Sequence, residues 1–381
     1  MKLKISQQDL NTSIQQVSKA VSSRAAAIPI LSGIKVDVTR EGVLFTASDS
    51  EISIQSFVPA EHEGETKAEI LSPGSAVLPA KFFSEIIRKL PSDEVWIESN
   101  EHFMTWVRSG TAEIQMIGMD PEEYPVLPQV EENNIIRISS DLLKEMIRQT
   151  SFAVSTNESS PILTGVLWDF SQERLKMVAC DRTRMASREA QVQRNDQTEI
   201  ENLVIAGKTL NELNKLLPDE NISVEIVVAN NQVLFKIDNL LFYTRILDGT
   251  YPDTSKLIPQ SFTTELTVHT KKLEEAIDRA YLLSREEKTN IVKMTLKDAY
   301  SLEISSTASE IGKVTEQVDI HQMTGDLLTI SFNSKYMLDA LKAIDSDFVR
   351  FGFRGAMQPI ILKPEDHSNI LHLIMPYRTT N

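Results

Sequence analysis

The chain has 381 residues, a formal net charge of −15 and a single cysteine. This length exceeds one ordinary hydrophobic core and predicts two or three domains, while a lone cysteine excludes an intrachain disulfide and a cysteine-based metal site. The acidic balance argues against nucleic-acid binding if the charge is spread evenly. No apolar run approaches the length of a membrane span and the N-terminus lacks the apolar core of a signal peptide, so we expect a cytoplasmic protein without membrane contact.

A first amphipathic helix is predicted near the start of each third of the chain, over residues 7–21, 140–152 and 271–283, from apolar residues at helical spacing. In the first two thirds a loop and an apolar strand follow, and they share the sequence Pro-Ile-Leu-Ser/Thr-Gly at Pro29–Gly33 and Pro161–Gly165. Two such matches in similar context indicate an internal repeat.

The single cysteine, Cys180, lies in the apolar strand predicted for the second third. A reactive thiol is one interpretation. A small buried apolar residue is the other, and the apolar surroundings favour it.

A second helix recurs at intervals of 127 residues, over 81–91, 208–218 and 335–344. Each copy carries a basic residue, an acid four residues later and a base three residues further on, so these charges share one face. The opposite, apolar face is predicted to contain Phe83, Ile86 and Leu90, then Leu210, Leu213 and Leu217, then Met337, Ala340 and Ile344.

Alternating, β-rich segments surround these helices, and each third has the order βαβββ twice. The fold class is therefore predicted as α+β, with three tandem repeats in which two helices pack on antiparallel sheets. Proline-bracketed linkers, Tyr124–Pro128 and Tyr251–Pro259, separate the repeats. We expect domains at 1–128, 129–260 and 261–381.

The six helical segments contain 13 Lys/Arg and 9 Asp/Glu, a balance of +4, which leaves −19 for the rest of the chain. Any one amphipathic helix carries charge simply because one face is wet. Six helices on one surface would instead form a mildly basic face on an acidic body, which suits contact with a phosphate backbone without reading of base sequence.

These repeats, the loop Ser22–Arg24 before Pro29, the Tyr-Pro linkers and the ending Met375–Arg378 together resemble the β subunit of bacterial DNA polymerase III, the sliding-clamp family, over the whole chain. The segments RQTSFAVST and SKYMLDALK are most similar to clamps of low-GC Gram-positive bacteria. The resemblance implies a head-to-tail homodimeric ring that encloses duplex DNA and acts as a non-catalytic processivity factor without cofactors.

The resemblance also implies a pocket for short linear motifs of partners, namely the DNA polymerase III α subunit, the clamp-loader δ subunit and repair proteins. Its residues here would be Leu163, Cys180, Arg182, Thr183, Arg184, Met185, Pro252, Leu257, Met357, Pro359, Leu373, Met375, Pro376, Tyr377 and Arg378. Leucine, methionine and proline walls suit an extended apolar peptide; packing in a core and linker is the competing interpretation.

Two further sets of residues follow from the resemblance. Those facing DNA would be Arg24, Lys81, Arg88, Asn157, Lys208, Lys215, Lys335 and Lys342. Those in the dimer interface would be Ile114, Leu282 and Leu283, with the strand near Thr105–Ile117 pairing around Lys297–Ser305 of a second copy.

One segment departs from the family's pattern. Where the family typically has Thr-Asp-Gly/Ser-His-Arg-Leu-Ala, this chain has Cys180-Asp181-Arg182-Thr183-Arg184-Met185-Ala186. The change adds positive charge and alters the pocket's shape. It therefore also fits a paralogous clamp specialised for repair or a mobile element.

An enzyme and a non-encircling adaptor are competing functional classes. None of the motifs GxxxxGK[ST], HExxH, GxSxG or GxGxxG occurs, and the six histidines are scattered singly. Solvated or strand-face histidines are expected. An enzyme is therefore disfavoured, and retention on circular against linear DNA would separate a ring from an adaptor.

Overall fold

The computed structural model describes residues 1–21, 28–127, 130, 135–171, 173–194, 200–229, 231–286, 289–367 and 369–378. The chain divides into two compact units. The first comprises Met1–Asp141, Lys215–Ile246 and a short segment beginning at Gln193; the second comprises Leu142–Val192, the segment that ends at Asn214, and the chain from Leu247 onward.

In its described residues the first repeat contains two α-helices and eleven strands. They are β1 (Lys2–Ser6), α1 (Gln7–Val17), β2 (Gly33–Val38), β3 (Gly42–Ser48), β4 (Ile52–Pro59), β5 (Glu61–His62), β6 (Glu65–Thr66), β7 (Ala68–Ser72), β8 (Gly74–Pro79), α2 (Ala80–Arg88), β9 (Glu94–Ser99), β10 (Met104–Ser109) and β11 (Ala112–Ile117).

The second and third repeats also have two α-helices, each preceded by a strand, but fewer strands in their described residues. The second has β12 (Ile135–Ser139), α3 (Ser140–Thr150), β13 (Gly165–Ser171), β14 (Arg174–Cys180), β15 (Arg184–Gln191), β16 (Gln193–Arg194), β17 (Ile200–Ala206), α4 (Gly207–Leu216), β18 (Ser223–Val228), β19 (Gln232–Ile237) and β20 (Leu240–Arg245). The third has β21 (Thr264–His269), α5 (Thr270–Ser284), β22 (Ile291–Leu296), β23 (Ser301–Ala308), β24 (Gly312–Gly325), β25 (Thr329–Asn333), α6 (Ser334–Lys342), β26 (Phe348–Phe353), β27 (Ile360–Pro364) and β28 (Ile370–Ile374).

Antiparallel sheets join strands of neighbouring repeats. A nine-stranded sheet in the first unit has the order β16-β12-β18-β19-β20-β4-β3-β2-β8, so β20 of the second repeat pairs with β4 of the first. A twelve-stranded sheet in the second unit has the order β17-β13-β14-β15-β28-β27-β26-β21-β24-β23-β22-β25, and β28 of the third repeat pairs with β15 of the second. A five-stranded sheet, β11-β10-β9-β1-β7, belongs to the first repeat.

All six predicted helices are present, because their apolar residues recur at helical spacing. Ser6 begins α1 by accepting a hydrogen bond from the Asp9 backbone N–H, and Asn333 begins α6 in the same manner. Leu210, Leu213 and Phe83 are buried as predicted, but in α2 Ile87 is buried in place of Ile86, which is only half-buried. The helix α2 also ends at Arg88, three residues before the predicted Pro91.

The glycines of the repeated Pro-Ile-Leu-Ser/Thr-Gly motif are required by close packing of neighbouring strands. A Cβ at Gly33 would lie 2.4 Å from Val77 Cγ1, and one at Gly165 would lie 2.5 Å from Val204 Cγ1. Each motif forms a single 3₁₀ turn that delivers the chain into the strand. Since Val77 and Val204 are themselves 127 residues apart, the same packing is built twice.

The six histidines are exposed or lie on strands, as predicted. His62, His102, His321 and His367 are exposed, whereas His372 on β28 is only 1% exposed. Cys180 is free and buried, which confirms the interpretation of a small core residue. Within the described ranges no helix is long and apolar enough to cross a membrane.

Candidate functional site

A buried apolar cluster in the second unit brings together six separated segments of the chain. It contains Leu163, Val178, Cys180, Met185, Val204, Tyr251, Ile361 and Leu373. The Cys180 backbone N–H donates a 2.9 Å hydrogen bond to Tyr251 Oη, which fixes the linker to the end of β14. Burial raises the pKa of the Cys180 thiol, so the thiol stays protonated at neutral pH and does not act as a nucleophile.

A tight turn at Asp181–Arg184 lies directly beside this cluster. Asp181 Oδ1 accepts hydrogen bonds from the backbone N–H groups of Thr183 and Arg184, each at 3.0 Å, and from Thr183 Oγ1 at 2.6 Å. Arg182 has φ 76°, in the left-handed region where a side chain is disfavoured. The turn is thus held by one carboxylate and carries an exposed arginine at a position that suits glycine.

The side chain of Arg184 is enclosed rather than offered to solvent. Its Nε donates to Asp181 Oδ2 at 3.0 Å and its Nη1 to Asp339 Oδ2 at 2.7 Å. The guanidinium also lies 4.2 Å from the centroid of the Tyr336 ring. Two carboxylates therefore neutralise Arg184, and Arg182, which donates to Ser160 Oγ at 2.8 Å, is the turn's outward-facing cation.

Four residues of the predicted peptide pocket are exposed apolar side chains. Leu257, Met357, Met375 and Tyr377 are between 41% and 53% exposed, and Met357 and Tyr377 line one cavity with Thr307 and Ser331 of the third repeat. The Met375 backbone N–H donates to Thr183 O at 2.8 Å, which ties the last segment of the chain to the turn. Pro252 and Arg378 are exposed, and Pro359 and Pro376 are half-buried.

Two residues predicted to form the walls of the pocket, Leu163 and Leu373, are instead buried in the apolar cluster. Leu163 is 6% exposed and Leu373 only 2%, so neither offers much surface to a ligand. Strand pairing explains the burial of Leu373, because it lies opposite Met185 on one side and Ile361 on the other. Sequence reasoning missed Tyr251 and Ile361 as members of this site and Asp339 and Tyr336 as partners of Arg184. The Tyr-Pro repeat was the available signal for Tyr251.

The first repeat contains the same turn without the arginine clamp. Asp49 Oδ1 accepts from the backbone N–H groups of Glu51 and Ile52 at 2.9 and 2.8 Å, and Ser50 has φ 76°. Ile52 here takes the position of Arg184. The turn is therefore a shared scaffold, and the arginine with its two carboxylates is specific to the second repeat.

The residues predicted to face DNA are exposed wherever the structure describes them. They are Lys81, Arg88, Asn157, Lys208, Lys215, Lys335 and Lys342. Arg24 lies outside the described residues. In α2 the exposed Lys81 and Arg88 lie opposite the buried Phe83, which confirms the predicted charged face of that helix.

The residues predicted for the dimer interface lie on an edge strand and at the end of helix α5, but the strand predicted to pair with the second copy is wrong. Ile114 is on β11, the edge strand of its sheet, and on α5 Leu282 is 48% exposed while Leu283 is half-buried. The strand predicted to receive the second copy, around Lys297–Ser305, is wrong for that role because β23 is paired on both sides, by β22 and β24. In the described residues two strands of the third repeat have an open side: β25, the last strand of the sheet, pairs only with β22, and the first half of β24, Gly312–Asp319, pairs only with β23.

Three family models match successive parts of the chain. They are the N-terminal, central and C-terminal domains of the DNA polymerase III beta subunit, matched at residues 1–128, 137–253 and 255–378. The chain belongs to this family. No metal-binding group of histidine, cysteine and carboxylate side chains occurs in the described part of this β subunit homologue.

Relatives of this β subunit homologue match along its whole length. The Beta sliding clamp of Bacillus subtilis is 50% identical over 379 residues and is covered completely, as is this chain. That of Staphylococcus epidermidis is 46% identical over 361 residues, 95% of each chain.

Solved structures agree with the sequence comparison. The DNA polymerase sliding clamp from Bacillus subtilis superposes with a TM-score of 0.97 at 50% identity and full coverage of both chains. The DNA polymerase III beta chain from Streptococcus pneumoniae superposes with a TM-score of 0.94 at 37% identity, with 99% of this chain and 100% of the other covered. The predicted fold of three clamp repeats and the identification as a sliding clamp are both confirmed.

Proposed function

We propose that two copies of this chain close head to tail into a ring around duplex DNA and hold replication proteins there without a catalytic role. The partners would be a DNA polymerase III α subunit, the clamp-loader δ subunit and repair proteins, and the protein would act in the cytoplasm. We also propose domain boundaries at 1–128, 129–260 and 261–381. The comparisons favour this main function and give no support to a specialised paralogue.

The main support for this proposal is a strand pairing between repeats that occurs twice within the chain and whose third copy lacks a partner strand in the same chain. Strand β4 of the first repeat pairs with β20 of the second, and β15 of the second pairs with β28 of the third. By the same rule the first half of β24 requires a partner that corresponds to β20 and β28. In sequence that partner is β11, which begins at Ala112, 128 residues before Leu240 of β20, and in the described residues β11 pairs only with β10. Two copies joined in this way satisfy both edges.

Contact with DNA in this proposal is electrostatic and independent of sequence. The candidate residues are Lys81, Arg88, Asn157, Lys208, Lys215, Lys335 and Lys342 of the described helices and loops, together with Arg24. Lysine and arginine neutralise phosphates without reading bases. Because the helices have a net charge of only +4, direct affinity for DNA should be weak and closure around the duplex should provide retention.

The ring can be tested with one interface variant and a matched control. Leu282→Asp should weaken dimerisation at least tenfold, because it places a carboxylate on an exposed leucine of the proposed interface, where apolar anchors dominate. Leu327→Asp is the control, since Leu327 is a similarly exposed leucine (56%) of the same repeat outside the proposed interface. Sedimentation velocity gives the dimer constant, and retention on loader-treated nicked circular DNA, before and after linearisation, gives the topology.

Wild type and Leu327→Asp should remain on circular DNA and leave linear DNA, whereas Leu282→Asp should be lost from both. Equal retention on circular and linear DNA would contradict an encircling clamp. It would favour the non-encircling adaptor.

A second prediction concerns peptide binding. Met375→Ala should weaken binding of a Gln-Leu-x-Leu-Phe type peptide about tenfold, since truncation of an apolar anchor commonly costs over 1 kcal/mol. Met375 is 41% exposed, so its loss should leave the fold intact, unlike that of the buried Leu373. Fluorescence anisotropy measures the affinity, with Leu327→Ala as the control. An unchanged affinity in Met375→Ala would place the site elsewhere.

A third prediction concerns the exposed arginine of the turn. Arg182→Gly removes an outward cation and relieves a left-handed residue, so we expect weaker salt dependence of peptide binding and a gain in unfolding free energy of up to about 1 kcal/mol. Adding Thr183→His restores the family's typical pair and should raise affinity for a generic peptide. Titration of wild type and double mutant at two salt concentrations tests this. Identical affinities and salt responses would put both residues outside the working pocket.

A further inference from the structure

A cleft of about 290 Å³ lies within the first unit, apart from the peptide site. One side is formed by α1 and β4, and the other by the C-terminal end of α4 and the turn between β19 and β20. Its polar lining includes Asp9, Thr12, Gln16, Ser56 and Asp238. Its apolar walls include Val58, Leu216, Ile237 and Leu240. The cleft combines carboxylates with an apolar channel.

The corresponding junction of the second unit is filled by two arginines. Arg148 of α3 donates to Lys342 O at the end of α6 at 3.0 Å and pairs with Asp345. Arg188 of β15 is 7% exposed, and its Nη2 lies 3.9 Å from Glu145 Oε1. Guanidinium groups therefore occupy the place where a β-strand, a first helix and the end of a second helix meet.

The repeat alignment shows why the first unit is open at this place. Ser56 opposes Leu240 in the β4–β20 ladder as Arg188 opposes Ile370 in the β15–β28 ladder, so Ser56 takes the position of Arg188. Counting from the first residue of each helix, Gln15 of α1 takes the position of Arg148. The buried Arg188 is thus replaced by the short Ser56, which lines the cleft, while Gln15, in the position of the exposed Arg148, lies outside the lining. The volume that the Arg188 side chain would fill therefore remains open in the first unit.

The electrostatics of the cleft favour a cation. Asp9 and Asp238 both line it, and the helix α4 ends in it at Leu216, where the helix dipole presents partial negative charge. Of the lining cations, Lys67 is engaged by Glu65 at 2.9 Å, and this pairing raises the pKa of Lys67 and lowers that of Glu65. His62 is exposed. A planar cation with an apolar stem matches both the charge and the walls.

We propose that this cleft binds the guanidinium group of an arginine side chain supplied by a basic segment of a partner protein. The stem would lie along Val58, Leu216 and Leu240, and the guanidinium would reach Asp238, Asp9 and the end of α4. The buried guanidinium group of Arg188 at the equivalent junction of the second unit is the internal precedent for this occupant. The proposal does not depend on ring closure.

The test uses the full-length protein and two tripeptides, acetyl-Ala-Arg-Ala-amide and its citrulline counterpart, which has nearly the same shape without the charge. Methyl NMR follows Leu216 and Leu240 in the cleft and Leu373 as a remote reporter. The arginine peptide should produce saturable shifts at Leu216 and Leu240 only, with a dissociation constant on the order of millimolar, and the citrulline peptide should bind at least fivefold more weakly.

Two variants separate the cleft from general charge effects. Ser56→Arg places an arginine in the cleft as in the second unit and should abolish the saturable shifts. Asp238→Asn keeps a residue that tolerates the positive φ of this position (48°) and should weaken binding at least threefold. Equal shifts from the arginine and citrulline peptides would overturn the proposal, as would undiminished binding in a folded Ser56→Arg or in Asp238→Asn.

Discussion

Acidification from pH 7 to pH 3 should lower the free energy of unfolding by about 4 kcal/mol through the proton that His372 takes up on unfolding. His372 is fully buried on β28, neither of its ring nitrogens has a hydrogen-bond partner among the described residues, and its ring centroid lies 5.4 Å from that of Phe152. Burial lowers the pKa of this imidazole from 6.5 to about 3. The unfolded chain therefore takes up a proton near pH 6.5 while the folded chain does not, so stability is full above that pH and falls as the pH drops toward 3.

The variant His372→Leu should remove this part of the pH dependence. An apolar side chain is compatible with the site, because the second repeat has the fully buried Phe242 at the equivalent strand position. His102→Leu is the matched control, since His102 is exposed and should leave the pH profile unchanged. Urea unfolding at several pH values between 7 and 4 measures the slopes. Parallel slopes for wild type and His372→Leu would show that His372 is not protonated on unfolding in this range.

Asp181→Ala is expected to lower the free energy of unfolding by about 3 kcal/mol. The carboxylate accepts three hydrogen bonds that close the turn and also pairs with the Arg184 guanidinium, whose side chain is only 10% exposed. Its removal opens the turn and leaves a largely buried cation with one carboxylate in place of two. Loss of one partner of a buried ion pair is costly because the remaining charge has been removed from water.

The first repeat supplies the control for this prediction. Asp49 closes the same turn, but Ile52 stands where the second repeat has Arg184, so Asp49→Ala should cost only about 1 kcal/mol. The difference between the two variants measures the ion pair apart from the turn. Peptide binding should fall only in Asp181→Ala, because the Met375 N–H donates to Thr183 O of that turn. Equal losses of unfolding free energy in the two variants would mean that the ion pair between Asp181 and Arg184 makes no net contribution to stability.

The repeats were predictable because their residues obey local rules. A 127-residue interval, a helical apolar face and a turn-forming proline are properties of short segments, and each reappears in the structure near its expected position. The buried Ile87 in place of Ile86 shows the limit of this reasoning, since the exact face of a nine-residue helix is set by what it packs against. Propensity locates the helix, and tertiary packing selects its buried side.

The candidate site was only partly predictable because its members are joined by strand pairing over long sequence distances. The Arg184–Asp339 pair spans 155 residues, and no local pattern links the two side chains. Exposure of Leu373 was expected from its role in the family, but the ladders on both sides bury it. The interior position of β23 was missed for the same reason: pairing order cannot be inferred from alternation within one strand.

The exposed edge of β24, Gly312–Asp319, also affects how a newly synthesised chain avoids aggregation before it pairs with a second copy. An unpaired edge invites indiscriminate strand addition and aggregation. Along this edge the outward residues Lys313, Thr315, Gln317 and Asp319 are polar or charged and exposed, and Glu316 is held by Arg279 at 2.6 Å. Such residues act as gatekeepers, because a foreign apolar strand would have to desolvate them. The single chain can thus stay soluble during synthesis while keeping its edge available for a strand of matching sequence.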